Sequence, residues 1–77
     1  MITTEQQNKI LDLVRELVPD GARGRNERRN SIFLGVIVAL GTLDHELVPP
    51  AWLMLTLAGR GDEIFRTLPK AGATPSC

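Results

Sequence analysis

Asp44, His45 and Glu46 stand side by side, the one place where this chain sets an imidazole between two carboxylates. General acid–base work would need such groups to converge on one reacting atom. Neighbours in sequence do not face each other on a helix, so this run does not converge. His45 reads instead as a solvated histidine near a helix end. Nothing else supplies a nucleophile with its base, or a carboxylate pair at catalytic spacing. One histidine and one cysteine, Cys77, cannot assemble a zinc site, and a lone cysteine closes no internal disulfide. "GARG" and "LAGRG" lack both the spacing and the Lys-Ser/Thr ending of a phosphate loop. The expectation is a non-catalytic protein that uses neither cofactor nor metal.

Basic chemistry is the next candidate. Arg23, Arg25, Arg28 and Arg29 crowd seven residues. Arg25, Arg28 and Arg29 share a face at i, i+3 and i+4 if a helix begins early, and guanidinium groups bind phosphate well. Against this, the chain has no tyrosine, and neither its phenylalanines nor its tryptophan interleave with the arginines. Single-stranded bases would find no stacking platform. The third helical segment offers Trp, Leu and Met rather than the Arg, Asn and Gln that read base edges. Nine basic and nine acidic residues leave no net charge, which also opposes a general polyanion binder. A nucleic-acid-binding regulator using the Arg23–Arg29 patch is therefore the alternative reading. A further alternative rests on Ser31. Small helical carriers of about this length bear their cofactor on a serine that opens the second helix, and Ser31 suits that place. Its apolar, arginine-led helix does not suit the acidic surface such carriers present. "RGD" at 60–62 would serve adhesion only on an exposed loop of a secreted protein. The polar start "MITTEQQNKI" has no signal-like hydrophobic region, so that tripeptide reads as chance and the chain as cytoplasmic.

The elements that carry these residues follow from periodicity and punctuation. Thr3 and Thr4 precede Gln6 and Gln7 at capping-box spacing. Ile10, Leu13, Val14, Leu17 and Val18 then recur at helical intervals, with Leu11 beside the stripe. The first helix is expected over about 4–18, stopped by "VPDG". A second is expected over about 27–45, capped by Asn26, Asn30 or Ser31. Pro50 suits the first turn of a third. Leu53, Leu57, Gly61, Ile64 and Leu68 keep helical phase, so this helix is expected to run over 50–68, with a kink at its glycines. The rival is a short fourth helix capped by Asp62. Residues 69–77 read as a flexible tail. The fold class is all-α, one domain over 1–68, a three-helix or four-helix bundle completed by homodimerisation. Leu13, Leu17, Ile37, Leu40, Leu53 and Leu57 are the expected core.

Surplus apolar surface points to the function. Residues 32–43 carry no charge, yet as a helix they rise only about 18 Å, against the roughly 30 Å of a bilayer core. A membrane span is not expected. A helix apolar all round must be covered all round, and a 77-residue chain buries only about 60% of its surface. The expected function is an adaptor or regulatory module that binds other proteins and itself through the second and third helices. Its interface residues are Ile32, Phe33, Gly35, Val36, Ile37, Ala39, Leu40, Trp52 and Met54. The second helix also carries its charges against its dipole, arginines first and acids last. An antiparallel second copy would offset this by setting Arg25, Arg28 and Arg29 against Asp44 and Glu46.

Overall fold

The computed structural model describes residues 1–67. Local chemistry sets its first element. Thr3 Oγ1 accepts from the Gln6 backbone N–H at 3.1 Å, and Gln6 Oε1 accepts from the Thr3 N–H at 2.9 Å. This reciprocal cap opens helix α1, Thr4–Leu17. Gln7 takes no part in it. It is buried, and its amide donates to the Ile2 carbonyl at 3.1 Å. Helix α2, Arg25–Leu43, starts earlier than its asparagines suggest. Its cap is Gly24 in the left-handed region (φ 69°), with no side-chain cap. It ends where Asp44 turns extended, and a 3-10 turn follows at His45–Leu47. Ile2 N–H reaches the Leu47 carbonyl at 3.2 Å and ties the chain's start to this turn.

Helix α3, Pro50–Leu57, opens on its proline as expected but stops before Gly59. Gly59 has φ 74° and donates to the Thr56 carbonyl at 3.0 Å, while Arg60 donates to the Leu55 carbonyl at 2.7 Å. That pair of bonds is the Schellman ending of a helix. The continuous 50–68 helix is therefore corrected: a second 3-10 turn at Gly61–Glu63 leads into a short α4, Ile64–Thr67. No strand is present among the described residues, and the fold class is all-α. The expected tail, 69–77, lies outside the described residues.

The core gathers at the inner face of α2. Phe33 and Ile64 are fully buried, and Val14 and Trp52 nearly so. Phe33 meets Trp52 edge-on at 5.3 Å and Phe65 at 5.7 Å between ring centres. Leu11, Ile37 and Ile2 complete the cluster. Of the expected core, Ile37 is inside and Leu40 is half-buried. Leu13, Leu17, Leu53 and Leu57 are exposed, the last by 72%. In α1 the inward face is Gln7, Leu11 and Val14, continued by Val18, so one edge of the expected stripe is buried while Leu13 and Leu17 at its other edge face solvent. In α3 the bulky Trp52 and the small Thr56 face inward, Leu55 packs half-buried against the core, and Leu53 and Leu57 do not enter it.

One glycine is needed for packing. A Cβ on Gly61 would lie 2.8 Å from the Asn30 Cα, and the Gly61 N–H donates to Asn30 Oδ1 at 2.7 Å. The obstacle is backbone and cannot swing aside. Gly61→Ala should destabilise the fold by about 1–3 kcal/mol through overpacking. A urea midpoint equal to that of the unsubstituted chain would show that the turn does not press on α2.

Candidate functional site

Two regions concentrate the residues that could act: the arginine cluster opening α2 and the outer face of the same helix. Arg29 is only 3% exposed. Its Nε and Nη2 both donate to the Val18 carbonyl, at 3.1 and 2.8 Å. Nη1 donates to Asp62 Oδ1 at 2.8 Å and Nη2 to Asp20 Oδ1 at 2.9 Å. Arg25 lies 3.4 Å from the same Asp62 oxygen and donates to the Asp20 carbonyl at 2.9 Å. The guanidinium groups of Arg15 and Arg29 stand 4.6 and 4.5 Å from the centre of the Phe65 ring. Burial disfavours the Arg29 charge, but its hydrogen bonds to Asp62 and Asp20 outweigh that and hold its pKa above the ordinary value.

This arrangement corrects two expectations. Arg29, expected to contact a partner chain, is taken up within its own chain, where it caps the end of α1 and pins the Gly61–Glu63 turn. Arg25 is largely accounted for in the same way. The charges at the start of α2 thus meet Asp20 and Asp62 inside the fold, and the dipole mismatch there needs no second copy. The phosphate-binding patch shrinks accordingly to Arg23 and Arg28, which are exposed and form no ion pair among the described residues. The "RGD" tripeptide is dismantled by the fold: Gly61 is buried, Asp62 turns inward, and Arg60 pairs with Glu63.

Acid should loosen the cluster. The hydrogen bond from Arg29 holds the Asp20 carboxyl below its ordinary range, and the bond from Arg60 does the same for Glu63. A carboxyl depressed in the folded state stabilises the fold above its unfolded pKa, near ~4. That contribution is lost as pH falls through the lower folded value. The urea midpoint should therefore drop below about pH 4, and Asp20→Asn should remove part of the drop. A midpoint independent of pH in that range would contradict these pairings.

The other expected chemistry is dispersed. The His45 side chain is 91% exposed, and Asp44 uses its carboxylate to accept from the Glu46 N–H at 3.0 Å, capping the 3-10 turn. Ser31 is exposed but lies well inside α2, not at its opening, which removes the feature that suggested a carrier. No helix among the described residues is long and apolar enough to cross a membrane.

No protein-family model, no curated protein and no solved structure matches the chain. The remaining pointer is its surface. The inner arc of α2 is Arg29, Phe33 and Ile37, and the outer arc is apolar in its middle. Leu34 and Val38 are 44% and 61% exposed, with Gly35 and Ala39 exposed beside them. Of the expected interface, Gly35, Ala39 and Met54 are on the surface, and Ile32, Val36 and Leu40 are half-buried at its edge. Phe33, Ile37 and Trp52 are core residues, a correction, because the aromatic cluster draws them inside. Leu34 and Val38 were missed. They belong to the same apolar run, and only the burial of the opposite arc marks them out. Leu17, Val18, Glu27, Arg28, Ser31 and Ile32 line an open groove of about 520 Å³ between the end of α1 and this face.

Proposed function

We propose that this protein is a non-catalytic helical interaction module that self-associates and acts as an adaptor or regulator of another protein. The observation that carries the reading is the uncovered apolar outer arc of α2, centred on Leu34 and Val38. Full burial of a side chain of this kind is worth about 1.5–3 kcal/mol, and contiguous apolar surface on a small neutral protein marks an interaction site. Met54 and Leu57, 71% and 72% exposed on α3, are further apolar side chains left uncovered.

Leu34→Glu together with Val38→Glu tests this. Neither side chain enters the core, so the melting temperature should change little. The unsubstituted chain should sediment above its monomer mass of 8.5 kDa at ~100 µM, where a micromolar dimer is well populated. The double variant should sediment as a monomer. Equal masses for the two would remove α2 from the interface.

A further inference from the structure

Glu27, Ser31, Leu34, Val38 and Gly41 follow one another along α2 at spacings of four and three, and all five are exposed. Alternation of three and four is the seam of a two-stranded coiled coil, in which each helix keeps one edge against the other. Four residues beyond Gly41 the same alternation reaches His45, in the 3-10 turn, with its side chain almost wholly exposed. The seam is thus apolar in the middle, small on either side and polar at its ends.

We infer that a second copy of this chain lies on this seam, antiparallel, with Leu34 of each copy against Val38 of the other and Ser31 against Gly41. The inference rests on the self-association reading above and gives it an orientation and a register. In an antiparallel pair the two kinds of seam position face each other across every layer. One register here satisfies every layer at once. If Leu34 meets Val38, then Ser31 meets Gly41, and Glu27 lies beyond the partner copy's last helical residue, on the side of its His45–Leu47 turn. The two-fold axis then crosses the seam midway between Leu34 and Val38, and Gly35 lies at the seam's edge. A Cβ at Gly35 would have nothing within 4 Å in its own chain, so the bare backbone there is open to a close neighbour.

Charge selects the direction. Arg28 is exposed and without an ion pair among the described residues, whereas Asp44 and Glu46 are exposed just beyond the other end of α2. Antiparallel packing brings Arg28 of each copy to the acidic end of the other. Parallel packing would stack Glu27 on Glu27 and Arg28 on Arg28, a repulsive arrangement. Arg29, buried among its own aspartates, plays no part.

Cysteine cross-linking in a Cys77→Ser background reads the register directly. Ser31→Cys and Gly41→Cys both fall on exposed positions, and a Cβ at Gly41 meets only Val48 Cγ2, at an ordinary 3.9 Å. The two variants, mixed under mild oxidation, should form a disulfide-linked heterodimer, and neither should link to itself. In the proposed register two copies of residue 31 lie about 15 Å apart along the axis, beyond the roughly 7 Å limit between bridged Cα atoms. Self-linking of Ser31→Cys would establish a parallel pair and overturn the proposal. Dimer mass by sedimentation without cross-linking of the mixture would overturn this register, leaving the self-association reading intact. Monomer mass at ~100 µM would end both.

Discussion

Arg29→Met should unfold most of the protein at room temperature, and Arg29→Lys should come close. A domain this small holds on the order of 5 kcal/mol in total. Removing one partner of a buried ion pair typically costs about 3–5 kcal/mol, because the other charge is left buried and unpaired. Here the Asp62 carboxylate, 16% exposed, would lose its hydrogen-bonded partner and keep only Arg25 at 3.4 Å, and the Val18 carbonyl at the end of α1 would lose both its donors. Lysine keeps the charge but not the fork. One ammonium cannot replace the two donors on Val18 and reach Asp62 and Asp20 as well. By contrast, Asp20→Asn should cost far less than either Arg29 substitution, since the Asp20 side chain is 75% exposed and water screens its pair. Thermal melts of the three variants check the ranking. If Arg29→Met melts with the unsubstituted chain, the cluster is ornamental and the join between α1, α2 and the Gly61–Glu63 turn rests elsewhere.

Phe33→Ala and Trp52→Ala should each cost about 3–5 kcal/mol, comparable to the whole stability of the fold. Both side chains are effectively without solvent contact and touch each other edge-on. Aromatic pairs of this geometry add about 0.5–1.5 kcal/mol beyond their burial. The cavity left by either would open at the centre of the cluster that holds Ile64, Val14 and Ile37. Leu57→Ala and Leu13→Ala, at sites 72% and 55% exposed, should stay within about 0.5 kcal/mol. This contrast is the opposite of what helical periodicity suggests, since it places Leu13 and Leu57 in the core. Chemical denaturation of the four variants decides between the two assignments. Loss of stability in Leu57→Ala as large as in Trp52→Ala would restore the leucine core.

The sequence by itself determined the features whose causes lie within a few residues. The capping box at Thr3 and Gln6, the stop at Pro19 and the opening of α3 at Pro50 depend only on neighbouring backbone groups. The ending at Gly59 was equally local. It was obscured because apolar residues beyond it kept helical phase, and phase is silent about a glycine in the left-handed region. The all-α class followed from the same local signals. What faces inward was a different matter. In α1 the apolar residues form two overlapping arcs, and in α2 they surround the axis. Periodicity then defines a helix without choosing its buried side. Tertiary structure made that choice by setting α2 against the Gly61–Glu63 turn and α3, which drew Phe33, Ile37 and Trp52 together and left Leu34 and Val38 outside. Arg29 was the least legible residue. Its partners Asp20 and Asp62 are 9 and 33 positions away. A run of arginines on a positive helix end gave the only local hint that acid must come from elsewhere. Burying a guanidinium is favourable only when several acceptors meet it at once, and only the folded chain brings them there.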